Sequence, residues 1–163
     1  MTFPEITDLL IIQFGQDVTP TTQNLQPYIT VNGGRLVDLC QFLRDDERLF
    51  FDLLACVTAI DNGPEANTID VIYNLTSIPY KHDLMLKVVV PRNADGNRLP
   101  LVPSVAHIWR TADWHERESF DLVGIHFDNH PDLRRILLPT DWVGYPLRTD
   151  YQEEDQYHGI KTK

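Results

Sequence analysis

Apolar residues that recur at spacings of three and four predict two helices in the N-terminal part of the chain. The first covers Pro4 to about Gln16, where Thr2 can cap the first turn and proline is tolerated. The second covers Leu36 to about Leu43 and stops at an acidic run. Their apolar stripes consist of Ile6, Leu9, Leu10 and Ile12 or Gln13 in the first helix, and of Leu36, Leu39, Cys40 and Leu43 in the second.

Four other stretches predict strands, namely Tyr28–Val31, Leu49–Ile60, Thr68–Ile78 and His82–Val90. Apolar residues are nearly continuous over 49–60, which predicts a strand buried on both faces, whereas the last two strands alternate apolar and polar positions. A polar loop at 20–27 and turn residues at 61–64 and 91–97 separate these elements. Strands that follow one another through turns favour antiparallel pairing, so helices packed on this sheet would give a two-layer α+β domain.

The C-terminal third has a different pattern. A helix is predicted from Pro103-Ser104 to Val123, where Gly124 is suited to end it. Beyond it, prolines and glycines recur too often for regular structure. We therefore expect an α+β domain over residues 1–125, an extended irregular interaction arm over 126–151, and a polar, mobile tail over 152–163.

Composition excludes several functional classes. The formal net charge of the 163 residues is -10, which disfavours binding to nucleic-acid phosphates or to an anionic membrane surface. The most apolar stretch spans 49–60 and is too short to cross a bilayer. No basic leader precedes the first helix, so we expect a reducing compartment.

No cofactor site is apparent in the sequence. The two cysteines, Cys40 and Cys56, lie inside apolar runs and are expected to be buried, inert thiols. They are too few to hold an iron–sulfur cluster or a structural zinc ion by themselves. Gly33-Gly34 matches neither the phosphate-binding loop nor the dinucleotide fingerprint, so binding of NADH or flavin by this chain is unsupported.

The densest polar cluster lies between Trp114 and Asp121. His115 and Glu118 could reach one metal ion from a helix, with His107, His126 and His130 as further ligands, which leaves a metal-dependent enzyme as an alternative. Paired carboxylates for acid–base catalysis are a second alternative. The simpler interpretation is an exposed helix face on which Arg117 pairs with Asp121 four residues later.

The arm contains residue types that are common in protein interfaces. Arg134 and Arg135 precede an apolar run, and Trp142, Tyr145 and a further arginine follow it. Tryptophan, tyrosine and arginine are enriched in interface hot spots, and proline lowers the entropy that an extended segment loses on docking. The sequence leaves two possibilities open: the arm binds a partner, or it folds back on its own domain.

The segment from Glu116 to Pro139, continued by Asp141–Arg148 and Asp150-Tyr151, resembles the signature of the C subunit of respiratory complex I. Residues Pro103 to Trp109 are also similar to that family. One departure is Thr149, because the family often has lysine there.

This resemblance implies a two-layer α+β fold with a mixed, mostly antiparallel sheet. It also implies a non-catalytic structural subunit in the peripheral arm of proton-translocating NADH-quinone oxidoreductase, supporting electron transfer from NADH to quinone. NADH, FMN, iron–sulfur clusters and quinone would be bound by partner subunits, chiefly the large quinone-site subunit and the ferredoxin-like iron–sulfur subunit. The chain would lie on the cytoplasmic side of the bacterial inner membrane, attached through other subunits. The alternative is the equivalent subunit of a membrane-bound [NiFe] hydrogenase or of a related quinone or ferredoxin dehydrogenase.

The resemblance assigns no catalytic, cofactor-binding or metal-binding residue to this chain. It implies inter-subunit or arm-fixing roles for Glu116, Arg117, Glu118, Asp121, Gly124, His130, Pro131, Arg134, Arg135, Pro139, Asp141, Trp142, Gly144, Tyr145, Pro146, Arg148 and Asp150.

Overall fold

The computed structural model describes residues 1–93 and 99–161, so part of the predicted turn at 91–97 lies outside the described residues. The helices are α1 (Phe3–Phe14), α2 (Leu36–Asp45), α3 (Gly63–Ala66) and α4 (Ala112–Val123). The strands are β1 (Val18–Thr21), β2 (Tyr28–Val31), β3 (Leu53–Asp61), β4 (Thr68–Ser77), β5 (His82–Pro91), β6 (Leu101–Pro103), β7 (His126–Asp128), β8 (Gln156–Tyr157) and β9 (Ile160–Lys161).

A five-stranded mixed sheet with the order β1-β2-β5-β4-β3 forms the centre of the domain. All neighbouring strands pair antiparallel except β2 and β5, which pair in parallel. The predicted α+β fold with a mixed, mostly antiparallel sheet is therefore confirmed. Helix α4 packs along the edge strand β3 and positions the polar cluster at this end of the sheet.

One face of the sheet is buried in the core. In β4, Ile69, Val71, Tyr73 and Leu75 are buried and alternate with half-buried polar positions, as the period-two pattern predicts. The inward faces of α1 and α2 join the same core cluster. The predicted stripe of α2 is confirmed, because all four of its residues are buried. In α1, Ile6 and Leu10 are buried as predicted, but Ile12 is 82% exposed and Phe14 takes its place in the core.

The prediction for β3 was wrong in two respects. The strand begins at Leu53 rather than 49, and a register shift lies between Leu54 and Cys56. Only one face is buried, because an edge strand of an antiparallel sheet keeps the other face in contact with solvent. Cys40 is buried as expected, whereas Cys56 lies half-buried, and both thiols are free.

The helix predicted to begin at 103–104 is shorter than expected. Residues 104–111 form turns, and α4 starts at Ala112. Side chains hold these turns in place: the indole of Trp109 donates to the carbonyl of Phe51 (2.9 Å), and the hydroxyl of Thr111 donates to the carbonyl of Leu54 (2.9 Å). Just before the turns, β6 pairs in parallel with β7, and neither strand was predicted.

Two further local predictions differ from the structure. The loop expected at 20–27 begins later, because residues 18–21 form β1 against β2. The turn expected at 61–64 continues into the single helical turn α3. In the C-terminal tail, whose mobility stays a prediction, β8 and β9 form a short antiparallel hairpin.

Candidate functional site: the attachment of the arm to the domain

The carboxylate of Asp121 is the centre of the contacts between α4 and the arm (residues 126–151). One carboxylate oxygen accepts hydrogen bonds from the backbone N–H groups of Ile136, Leu137 and Leu138 at 3.0, 2.7 and 2.8 Å. The other accepts from Arg135 at 2.8 Å. We call this group of five residues the Asp121 clamp. Burial by itself raises the pKa of Asp121, but these donors outweigh it and lower the pKa below its ordinary value.

The arm also binds the carbonyl groups at the C-terminal end of α4. Such carbonyls have no partner within the helix, and the end of the helix carries partial negative charge. Arg135 donates to the carbonyl of residue 121 (3.1 Å), and the N–H of Leu147 donates to that of residue 122 (2.9 Å). Arg148 donates to those of residues 123 and 124 (2.7 and 3.1 Å). Four successive carbonyls are therefore satisfied by the arm.

Tyr145 packs where α4 ends. The guanidinium groups of Arg135 and Arg148 lie 5.5 and 5.2 Å from the centre of its ring, within cation–π range. Gly124 has a φ of 77°, and a Cβ atom there would lie 2.7 Å from the ring. The glycine is thus required twice, because it ends the helix in the left-handed conformation and leaves room for the tyrosine.

The expected pair between Arg117 and Asp121 on an exposed helix face is wrong. Both residues are buried, because the arm covers this side of α4. Arg117 instead donates to the backbone carbonyls of Arg134 and Arg135 at 3.2 and 3.3 Å. Arg134 itself is 70% exposed and pairs with Asp132 at 2.8 Å. The two adjacent arginines of the signature therefore face in different directions.

A second ion-pair group fixes the far end of the arm to the sheet. Arg92, which follows β5, binds the buried carboxylate of Asp61 through two hydrogen bonds of 2.7 and 3.0 Å. It also contacts Asp150 in the arm. Thr149 donates to Asp61 through its N–H (2.8 Å) and its hydroxyl (3.0 Å). Burial raises the pKa of Asp61, yet the hydrogen bonds from Arg92, Thr149 and Gly63 outweigh it and lower that pKa.

Glu116 and His130 lie at the base of the arm. The Glu116 side chain is fully buried and accepts from the hydroxyl of Ser104 (2.6 Å) and the N–H of Val105 (2.8 Å). The imidazole of His130 is also fully buried, with Nε2 3.0 Å from the carbonyl of Asp113. Burial raises the pKa of Glu116 to about 7, although the two donors oppose the shift.

The remaining predicted site residues lie nearer the surface. Glu118, Pro131, Pro139 and Asp141 are exposed, whereas Trp142, Gly144 and Pro146 are half-buried. Asp141 accepts from Tyr157 (2.9 Å) and pairs with His158 (2.7 Å) in the C-terminal hairpin. Trp142 packs against Tyr157 with ring centres 5.2 Å apart, and Gly144 lies against Tyr151.

Four side chains of the arm are largely exposed to solvent. Leu137, Val143 and Leu147 are each at least 60% exposed, and Arg134 is 70% exposed. We call these four residues the outer face of the arm.

Three residues of these groups are not distinguished by the sequence pattern. It assigns Asp61 and Arg92 to turns, and Ser104 to a helix start. Asp61 and Arg92 are 31 positions apart, so no local spacing could connect them. The structure does not support the alternative of a metal site at His115 and Glu118. The described residues contain no group of three or more His, Cys, Asp or Glu side chains able to hold a metal ion.

Comparison with known proteins identifies the family of this chain. A family model described as "Respiratory-chain NADH dehydrogenase, 30 Kd subunit" matches residues 29–157. The C subunit of the NADH-quinone oxidoreductase of Chloroherpeton thalassium is 46% identical over 155 residues, covering 91% of this chain and 60% of the relative. The same subunit of Chlorobium phaeobacteroides is 40% identical over 157 residues, covering 94% and 91%. That of Geobacter sulfurreducens is 48% identical over 124 residues, covering 76% and 72%.

Among solved structures, the fold is similar to a chain in the structure of the membrane-bound sulfane sulfur reductase, an archaeal respiratory membrane complex. The TM-score is 0.69 at 20% identity, covering 91% of this chain and 85% of the other. At that identity the likeness supports the fold alone. Over residues 1–93 and 99–161, no helix is long and apolar enough to cross a membrane.

Proposed function

We propose that this chain, which belongs to the family of the 30 Kd subunit of respiratory-chain NADH dehydrogenase, is the C subunit of an NADH-quinone oxidoreductase. The observation that carries the proposal is the family match over residues 29–157, which includes β3, β4, β5 and nearly all of β2 from the central sheet, together with the whole arm. The three relatives named above are 40–48% identical and all have this name, which favours it over the hydrogenase alternative.

In this proposal the role of the chain is architectural. NADH, flavin, iron–sulfur clusters and quinone bind to other subunits, and none of the residues named above carries electrons or protons for the reaction. The complex lies at the bacterial inner membrane, and this chain attaches to its cytoplasmic side through partner subunits. The large quinone-site subunit and the ferredoxin-like subunit are the expected neighbours.

In this proposal the arm has a fixing side and a binding side. Asp121, Arg117, Arg135 and Arg148 make hydrogen bonds within the chain, so we assign them to fixing the arm. We assign the contact with another subunit to the outer face. Its exposed apolar side chains and its arginine suit an interface, because interface cores are more apolar than the rest of the surface and enriched in arginine.

Affinity purification of the tagged chain from gently solubilised membranes of its source tests the proposal. We expect flavin and iron–sulfur subunits in the eluate, together with NADH-quinone reductase activity. Recovery of hydrogenase subunits would instead show that the chain is a subunit of a membrane-bound hydrogenase. A chain that elutes without partners would contradict the subunit assignment altogether.

Variants of the arm test the division between its two sides. Replacing Leu137, Val143 and Leu147 together by serine should leave the melting temperature nearly unchanged and reduce recovery of partner subunits at least tenfold, since burying a leucine or valine side chain contributes about 1.5–3 kcal/mol. The matched control is Leu25→Ser, because Leu25 is a fully exposed leucine in the loop between β1 and β2. Normal recovery of partners by the triple variant would refute the outer face as an interface.

A further inference from the structure

The carboxyl group of Glu116 is buried at the junction of three segments. It belongs to α4, and its two hydrogen-bond donors, Ser104 and Val105, come from the turns that precede the helix. His130 of the arm lies beside it, with Nε2 3.9 Å from the carboxylate oxygen Oε2. That distance is too long for a hydrogen bond.

The hydrogen bonds of His130 define its protonation. Its Nδ1 lies 3.0 Å from the backbone N–H of Asp132, which can only donate, so Nδ1 is an acceptor and carries no proton. The proton is therefore on Nε2, where it is donated to the carbonyl of Asp113 at 3.0 Å. In this arrangement the imidazole is neutral and gives Glu116 no positive charge.

The other titratable groups around Glu116 are acidic or neutral. The carboxylate of Asp113 lies 3.4 Å from the same Nε2, Tyr73 of β4 and Cys40 of α2 approach from the core, and Asp132 follows in the arm. Within 4 Å of the Glu116 carboxylate, in the part of the chain that the structure describes, His130 is the sole group able to become a cation. A fully buried carboxylate without a cationic partner is unfavourable, because burial removes its hydration.

We infer that Glu116 is a proton-dependent pin: it closes the junction between α4, the 104–106 turn and the base of the arm while it is protonated, and loss of that proton loosens the junction. Both protonation states can bond Val105 through one oxygen, and the protonated acid can donate to Ser104 through the other. The neutral acid therefore keeps both contacts without a buried charge. This inference concerns the chain itself and does not depend on which complex contains it.

The direction of the pH effect follows from the raised pKa. When the junction is closed the pKa of Glu116 is about 7, against 4.5 for an unperturbed glutamate. Between these values the closed form holds a proton that the open form has lost, so raising the pH favours opening by up to roughly tenfold per pH unit. Above pH 7 the effect levels off. Asp121 acts in the opposite direction, because its hydrogen-bond donors lower its pKa.

Nuclear magnetic resonance on the full chain tests the pin. We expect the side-chain carboxyl carbon of Glu116 to titrate near pH 7, well above the ordinary range of a glutamate. Amide protection of Val105 and Asp132, corrected for intrinsic exchange rates, should fall about fortyfold between pH 5 and pH 7, because the effect levels off near each of the two pKa values.

Two variants separate the pin from a general pH effect. Glu116→Gln keeps the shape and neutral hydrogen bonding of the protonated acid, so junction protection should become independent of pH. Glu118→Gln, on the exposed side of the same helix, should behave like the wild type. If Glu116→Gln does not fold, the wild-type titration still decides the matter.

Three results would overturn the inference. The first is a Glu116 carboxyl that titrates in the ordinary range of a glutamate. The second is a doubly protonated His130 at pH 7, which would make the pair an ordinary buried salt bridge. The third is a Glu116 that titrates near pH 7 while protection of Val105 and Asp132 does not change.

Discussion

Replacing Asp121 by asparagine should release the arm from α4 while the sheet stays folded. The asparagine keeps one acceptor oxygen for the three backbone N–H groups, but its amide nitrogen then faces the guanidinium of Arg135, donor against donor. Three charge-assisted hydrogen bonds become neutral, at a cost of about 1 kcal/mol each, and Arg135 loses its charged partner. Since such losses overlap, we expect about 3 kcal/mol in total, similar to breaking a buried ion pair.

A loss of about 3 kcal/mol corresponds to an opening equilibrium roughly a hundredfold more favourable. Hydrogen exchange of the isolated chain measures it directly, at the amides of Ile136, Leu137 and Leu138. Amides of the paired strands β4 and β5 should keep their wild-type protection, because local opening does not require global unfolding. The far end of the arm remains attached through Arg92.

The matched control is Asp132→Asn in the same arm. Asp132 pairs with Arg134, but both side chains are more than half exposed, so solvent screens the pair and its loss should change protection at residues 136–138 very little. The reasoning would be refuted if Asp121→Asn changed protection at residues 136–138 by less than about fivefold. It would also be refuted if sheet amides lost protection to the same extent, because Asp121 would then support the whole domain.

The remaining predictions concern Gly124 and the ion pair between Arg92 and Asp61. Gly124→Ala should lower stability by about 2 kcal/mol in thermal or urea unfolding, because it combines a positive φ with a clash against Tyr145. Gly159 has a similar φ, but a Cβ atom there would meet nothing within 4 Å, so Gly159→Ala should lower stability clearly less. Equal losses of stability would show that the clash with Tyr145 does not contribute. Arg92→Met leaves a buried carboxylate unpaired and should cost about 3–5 kcal/mol at pH 7. Because the fold lowers the pKa of Asp61, its contribution is present above the ordinary carboxyl range and is lost as pH falls, so this penalty should shrink in acid; a pH-independent penalty would contradict it.

Periodicity predicted the parts of the fold that bury one face against the core. The alternation in β4 and β5 and the three–four spacing in α1 and α2 follow directly from strand and helix geometry. The prediction that β3, which contains Cys56, is buried on both faces was wrong, because a bulged edge strand can be apolar without being buried on both faces. The pattern records how apolar a segment is, but not where in the sheet it lies.

The attachment of the arm could be predicted only in part. Gly124 was recognisable as a helix stop, and the signature marked Asp121 and Arg135 as important residues. Their mutual contact was not recognisable, because it joins residues 14 positions apart through an irregular segment. From the pattern of its helix alone, Asp121 is predicted to be exposed. It is buried because the arm covers it, and the path of the arm is not apparent in the sequence.

The turns before α4 illustrate the same limit. Val105, Ile108, Trp109 and Ala112 have helical spacing, yet most of this segment is not helical. The side chains of Trp109 and Thr111 bind carbonyl groups near the start of β3, and Glu116 binds Ser104 and Val105 from the other side. Tertiary hydrogen bonds therefore override the local helical preference.

Site-specific photo-crosslinking in native membranes is the most direct test of the central claim, which is that the arm is fixed to its own domain and presents its outer face to another subunit. A photoreactive residue placed at Val143, with Leu25 as the control position, would report which chain lies against the outer face. We expect a crosslink from position 143 to another subunit of NADH-quinone oxidoreductase and none at the control position. Crosslinks from position 143 that stay within the chain would contradict the account.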